Sequence, residues 1–406
     1  MSQTFFNRIR NELDTLENDK TMKTFRYLQG PVSGRAYIEG YGDTVVLCSN
    51  NYLGFDNKPE IIEAGASAIC RYGAGASSVR FICGTFDIHR QLEALTARFC
   101  GMDSSITYSS CWAANTAAIP ALLVPGDTVI SDELNHASII DGCKAVAKGV
   151  GRAVFKHSDM DDLESKLKAA SGSGTVLIVV DGVFSMEGDI APLPDIVELA
   201  KKYGALVMVD ESHASGVIGK TGRGTMEYYG MHEGIDIISG TYGKALGGAG
   251  GGFIASTTDV CRILAQKSRP ALFSNALPPV LCGIAMTSIQ YLLKNPEIVD
   301  SLRRKTAYAR KLITQAGLDP MPGDSAIIPI LIGSTADAIR ASQLMLDRGV
   351  FAIGFGFPVV PEGKARIRLQ ISDALDYADL DFAAKIIKDA VREVKKPVIS
   401  AKKPAK

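Results

Sequence analysis

Several reactive side chains stand directly after apolar, strand-like runs. In SGTYGKALGG (239–248), Lys244 lies between Gly243 and Ala245 and is followed by glycines. A lysine after a strand is usually solvated and inert. Small neighbours favour a different reading, because Gly lets backbone approach a ligand closely. An amine withdrawn from water also has the lowered pKa that Schiff-base formation with a carbonyl compound needs. Ser239 and Thr241 add hydroxyl donors suited to phosphate oxygens. In VMVDESHASG (207–216), Asp210 ends an apolar run and His213 follows three residues on. Such a pair is either a satisfied strand end or a carboxylate that keeps a heterocyclic nitrogen protonated, making the ring an electron sink. His136, in SDELNHASIIDG (131–142), is either a polar cap or an imidazole stacked flat on an aromatic ligand. Arg366 and Arg368 alternate with apolar residues along the strand-like run KARIRLQIS (364–372). One is expected to meet solvent and the other to turn inward, where it can fork a substrate carboxylate; the pattern leaves open which.

Competing chemistries fit these segments poorly. The glycine run 247–252 never gives the G-x-G-x-x-G spacing of a dinucleotide loop. Ala214-x4-Gly219-Lys220-Thr221 lacks the first glycine of a triphosphate loop, and the GRG after Thr221 does not open a helix. Asp210, Glu211 and His213 do not have the spacing of a known metal-ligand set.

The elements that must position these residues alternate strand and helix, the signature of a mainly parallel α/β sheet flanked by helices. Residues 3–20 repeat Phe6, Ile9, Leu13 and Leu16 at helical spacing. Strands are expected at Val45–Leu47, Ser104–Tyr108, Asp127–Ser131, Ala153–His157, Thr175–Val180, Ala205–Val209, Ile235–Ser239 and Ala326–Leu331, with a helix from Ala113. The continuous apolar runs ending at Asp181 and Asp210 suit strands buried on both faces. In open sheets of this kind ligands bind beyond the carboxyl ends of the strands, which is where Ser109–Trp112, Asp181–Glu187, Asp210–His213 and Ser239–Lys244 fall. Past about residue 285 the pattern turns to long amphipathic helices with short strands. The expected division is an N-terminal helix and arm (1–55), a large domain (56–285), a smaller C-terminal α/β domain (286–395) and a disordered basic tail (396–406).

Composition narrows the function. Lys+Arg and Asp+Glu balance at 44 each, so no electrostatic footprint for nucleic acid or an anionic membrane follows. No run of about 18 apolar residues suggests membrane insertion, and the acid-bearing N-terminus does not read as a signal peptide. The eight cysteines form no CxxC pair, which favours a reducing, cytoplasmic location over disulfides or a zinc site.

Taken together the segments resemble the α-oxoamine synthase family of fold-type I pyridoxal-phosphate enzymes. The matching stretches are SNNYLG (49–54), SVRFICGT (78–85), YSSC (108–111), SDELNHASIIDG (131–142), DGVFSMEGD (181–189), MVDESHASG (208–216), GTYGKALGG (240–248), SRPALFSNALPP (268–279), AIIPI (326–330) and FPVVPEGKARIR (357–368). They run in order through nearly the whole chain. The resemblance implies a pyridoxal 5'-phosphate cofactor held by Lys244, with Asp210 on the pyridine nitrogen, His213 beside the phenolic oxygen and His136 stacked on the ring. It places Cys111 and Trp112 in the turn around phosphate and ring, Ser185 in the site, Thr241 on the phosphate, and Asn51 and Arg368 on the substrate carboxylate. Ser274 and Asn275 resemble the segment that reaches the phosphate of a second subunit, which implies a homodimer. The implied activity is a transferase reaction of glycine with acetyl-CoA giving 2-amino-3-ketobutyrate and CoA, or the reverse cleavage in threonine catabolism. Alternatives within the family use another acyl-CoA or amino acid, as in 8-amino-7-oxononanoate synthase, serine palmitoyltransferase or 5-aminolevulinate synthase. An aminotransferase, a lyase or a non-catalytic paralogue are further alternatives. Trp112, where the family has Phe, and LQISDALD after Arg368 depart from the family pattern.

Overall fold

The computed structural model describes residues 3–19, 21–172 and 174–395; the tail expected over 396–406 lies outside the described residues. After the helix Gln3–Asn18, the N-terminal arm supplies β1 (Leu28–Gln29), β2 (Arg35–Ile38) and β3 (Gly42–Val46). The large domain supplies β4 (Ser104–Tyr108), β5 (Thr128–Asp132), β6 (Gly151–Phe155), β7 (Val176–Asp181), β8 (Leu206–Asp210), β9 (Ile237–Thr241) and β10 (Gly252–Ser256). The C-terminal part adds β11 (Ile327–Gly333), β12 (Val350–Phe351), β13 (Ile353–Phe355) and β14 (Ala365–Gln370).

The central sheet has the order β4-β10-β9-β8-β7-β5-β6. Five of its strands, β9 through β6, pair in parallel, and β10 alone runs against both neighbours. The apolar run of β7 is buried throughout because both faces are covered. Ile178 and Val180 join one hydrophobic cluster, Leu177 and Val179 the other, as the two-residue side-chain period of a strand requires. Helices Pro59–Tyr72, Asp87–Cys100 and Pro279–Lys294 contribute Ile61, Leu92 and Cys282 to the first cluster; Cys111–Leu122 and Ala137–Lys144 contribute Ala114 and Ile139 to the second.

The parallel strands fall within two residues of the positions expected from their apolar runs. β10 was not foreseen, since GFIAS is short and follows a glycine run that reads as loop. The helix Pro279–Lys294 runs across the expected 285/286 division and packs against helices Pro59–Tyr72 and Asp87–Cys100. The arm is not independent either: β12 pairs in parallel with β3, so the arm and the C-terminal part share one sheet. The remaining sheet, β11-β14-β13, is antiparallel with β14 in the middle. The opening helix has the predicted amphipathic pattern, yet Phe6, Ile9, Leu13 and Leu16 stay exposed on the single chain.

Candidate active site

A cavity of about 220 Å³ opens beyond the carboxyl ends of β7, β8 and β9. It gathers Lys244, Asp210, His213, His136, Cys111, Trp112 and Thr241, residues spread over more than a hundred positions of sequence. Lys244 rides on the loop that follows β9, which Tyr242 anchors: this ring is buried and its hydroxyl meets Thr96 Oγ1 at 2.7 Å. No carboxylate pairs with Lys244 among the described residues. Burial lowers its pKa to about 8, against the opposing charge of Asp210, so the amine is available as a base or nucleophile near neutrality.

Asp210 ends β8 and is held by two donors, Asn115 Nδ2 at 2.6 Å and the Ser212 N–H at 2.8 Å, with the Cys111 thiol at 3.6 Å. Beside it in register, Asp181 ends β7. Burial and the neighbouring Asp210 charge raise the Asp181 pKa well above the usual carboxylate range. Asp181 Oδ2 accepts the His136 N–H at 3.0 Å, which fixes the start of helix Ala137–Lys144 and with it the imidazole. The His136 ring is further tied by Nδ1 to Ser138 Oγ at 2.7 Å, and burial lowers its pKa. Trp112 meets that ring edge-on at 5.9 Å between centroids. His213 is buried with Nδ1 on the Tyr52 hydroxyl at 2.8 Å; burial, and after it the Lys244 charge, hold the ring well below the ordinary histidine range.

The helix Cys111–Leu122 begins at the cavity wall, with Ser110 Oγ accepting from the Ala113 N–H at 3.1 Å. Backbone N–H groups of a first helical turn have no intrahelical partner and attract anions. β10 lies directly beneath this turn. A Cβ placed at Gly252 would come within 2.3 Å of the Cys111 nitrogen, so only glycine permits the approach. Thr241 Oγ1 donates to Gly251 O at 2.9 Å and accepts the Gly243 N–H at 3.0 Å; to donate to a phosphate it must exchange the first bond.

The remaining expected residues fall elsewhere. Arg368 and Arg366 are both buried, because β14 is the central strand of its sheet and is covered on both sides. The expectation that one of them meets solvent is therefore corrected. Arg366 Nη1 pairs with Glu187 at 2.8 Å and bonds Met186 O, a structural tie. Arg368 has no carboxylate partner among the described residues. It donates to Ser185 O at 3.1 Å and Gln370 Oε1 at 3.0 Å, lies 4.6 Å over the Phe355 ring, and leaves Nε buried and unpaired. Ser185 thus meets Arg368 through its carbonyl oxygen.

Asn51 is corrected as well. Its amide donates to Val32 O and to Asp56, and its oxygen accepts the Phe55 N–H at 2.9 Å, which consumes it in the turn. The oxygen of the adjacent Asn50 instead accepts from Gln370 Nε2 at 2.6 Å. Ser274 and Asn275 are exposed and apart from this chain's cavity, paired through Asn275 with Val79. Residues missed from the sequence include Asn115, Tyr52 and Gln370, and Asp181 was expected near the site only as the start of the segment 181–187. Two signals existed: Asp181 and Asp210 end equivalent apolar runs, and Gln370 lies two residues beyond Arg368 on the same strand face.

This donor set fits pyridoxal 5'-phosphate. A weakly basic amine, a carboxylate fixed by neighbouring donors, a flat imidazole and a helix start each match one functional part of that molecule. A family model described as aminotransferase class I and II matches residues 42–387. The mitochondrial 2-amino-3-ketobutyrate coenzyme A ligase of Bos taurus is 45% identical, covering 92% of this chain and 89% of the relative. The 8-amino-7-oxononanoate synthase of Symbiobacterium thermophilum is 41% identical over 94% of this chain and 97% of its own length. Among solved structures, SPT with a PLP internal aldimine superposes with a TM-score of 0.90 at 31% identity, covering 96% of this chain and 98% of that one. The chain therefore belongs to the aminotransferase class I and II family, with the fold-type I architecture. Within it, the chain falls in the α-oxoamine synthase branch of pyridoxal-phosphate-dependent acyltransferases.

Proposed function

We propose that the chain joins glycine to acetyl-CoA, giving 2-amino-3-ketobutyrate and CoA, or runs the reverse cleavage of threonine breakdown. The observation that carries an amino-acid substrate is Arg368: a buried guanidinium with no carboxylate partner among the described residues, in electrostatic reach of Lys244. A buried cation without an anion is costly, and a substrate carboxylate supplies the missing partner. The choice of glycine and acetyl-CoA is supported by the identity to 2-amino-3-ketobutyrate coenzyme A ligases from Bos taurus and Escherichia coli.

Bound pyridoxal phosphate supplies an electron sink for negative charge at the substrate α-carbon. The chain's own residues do the rest. Arg368 holds the carboxylate, Asp210 faces the ring nitrogen, and His136 covers the ring. Ser110–Trp112 and Thr241 receive the phosphate, and His213 donates towards the phenolic oxygen. Lys244, which also tethers the cofactor, takes the α-proton of glycine once its amine is free. The α-carbon then bonds the acetyl carbonyl carbon, the C–S bond breaks, and CoA leaves as the thiol after taking up a proton.

A homodimer suits the exposed Ser274-Asn275 segment, which would serve a neighbouring copy. Eight free thiols suit a reducing compartment such as the cytoplasm. A second reading, a longer acyl chain, is favoured by the comparable identity to 8-amino-7-oxononanoate synthases. Mixing purified protein with glycine, alanine or serine and a series of acyl-CoA thioesters, then identifying products by mass, separates them. Glycine with acetyl-CoA is expected to react fastest; a preference for pimeloyl or palmitoyl thioesters overturns the first reading.

A further inference from the structure

Gln370 is nearly inaccessible, with 1% of its surface exposed, and every polar atom of its side chain is engaged. Its orientation follows from its partners. Arginine has no acceptor, so the amide atom that meets Arg368 Nη2 at 3.0 Å is Oε1. Nε2 then points the other way, donating to Asn50 Oδ1 at 2.6 Å and to the Tyr52 hydroxyl oxygen at 2.9 Å. Tyr52 is fully buried, and among the described residues the other hydrogen-bond partner of its hydroxyl is His213 Nδ1 at 2.8 Å. Leaving a buried hydroxyl proton without an acceptor forfeits the hydrogen bond it makes with water in the unfolded chain. The Tyr52 proton therefore goes to Nδ1, which makes Nδ1 an acceptor. In a neutral imidazole the ring proton is then on Nε2, which no described residue takes up, and His213 lines the cavity.

We propose that Gln370 is a positioning residue that sets the His213 tautomer through Tyr52 and so links the Arg368 carboxylate site to the cofactor face of the cavity. The inference rests on the functional reading above for what Arg368 and His213 contact. The direction of each hydrogen bond rests on the chain alone. A substrate carboxylate arriving at Arg368 competes for the guanidinium that Gln370 holds, so substrate binding and the donor at His213 share one amide.

The decisive variant is Gln370→Glu. A carboxylate beside Arg368 stays ionised and still accepts from it, but it cannot donate to Tyr52. The Tyr52 proton turns to the new carboxylate, its oxygen then accepts from Nδ1–H, and His213 switches tautomer. Nitrogen-15 NMR of histidine-labelled full-length protein, with and without pyridoxal phosphate, reads this directly, the His213 signal being assigned by its loss in His213→Gln. The expected result is Nε2–H in the unsubstituted protein and Nδ1–H in Gln370→Glu, with a mixture in Tyr52→Phe. The pH midpoint of the bound cofactor's visible band should move by about one unit or more in Gln370→Glu. Nδ1–H in the unsubstituted protein overturns the proposal even if Gln370→Glu fails to fold. An unchanged tautomer in a folded Gln370→Glu overturns it too. If the tautomer switches but glycine proves not to be a substrate, the relay stands and the functional reading falls.

Discussion

At the scale of single residues, Lys244 makes the sharpest demand. Only a neutral amine attacks the cofactor aldehyde, and burial brings the Lys244 pKa down to about 8. The rate of pyridoxal phosphate uptake by the unloaded protein should therefore rise about tenfold per pH unit up to about pH 8 and level off above it. Stopped-flow absorbance between pH 6 and 10 checks this; a plateau only near the ordinary lysine value of 10.5 refutes the burial argument. Asp210 opposes the lowering, so Asp210→Asn should move the midpoint to lower pH still. Lys244→Ala removes tether and base together and should abolish turnover while leaving circular dichroism unchanged. Arg368 gives a complementary signature. Arg368→Gln removes a charge-assisted contact of about 2 kcal/mol, which is roughly thirtyfold in glycine KM. If the affinity for the acyl-CoA falls instead, Arg368 serves the other substrate.

Elements explain why some of this was readable and some was not. Continuous apolar runs announce β7 and β8 because strands covered on both faces have no polar side to disguise them, and the acids that stop those runs mark the site. Lys244, Asp210, His213 and His136 were legible for that reason. Asn50 and Asn51 are the same residue type in one turn, so only backbone direction decides which of them meets Gln370. The solvent-facing arginine was misread because residues two apart on a strand share a face, and β14 is covered on both of its faces. β10 hides behind its glycines, yet those glycines have a function of their own. Since a Cβ at Gly252 collides with backbone at the head of helix Cys111–Leu122, Gly252→Ala must displace the turn that faces the cavity. Backbone cannot rotate aside as a side chain does, so the expected effect falls on cofactor affinity. A tenfold or greater loss in fluorescence titrations, with the melting temperature of the unloaded protein little changed, is the outcome; unchanged affinity would remove the helix start from the cofactor site.

For the whole molecule, the surface left bare by the single chain matters most. Phe273, Phe81 and Ile82 are 70%, 65% and 67% exposed. They cluster because Asn275 bridges to Val79 and the Ala276 N–H bonds Ser78 O. Burying each in an interface would contribute about 1.5–3 kcal/mol, enough together to favour association. In the proposed homodimer a two-fold axis would set this patch against its own copy and would carry the Ser274-Asn275 segment towards the partner's cavity. Phe273→Asp places a charge in that contact without touching the chain's own core. The variant should sediment as a monomer where the unsubstituted protein sediments at twice the chain mass, and its cofactor affinity should fall in step, by about tenfold, as the cavity loses a wall supplied by the other copy. Ser274→Ala separates the two effects: it should stay dimeric and lose cofactor affinity alone. A monomeric Phe273→Asp that binds pyridoxal phosphate normally would mean that one chain completes its own site, and the segment 268–279 would then need another role.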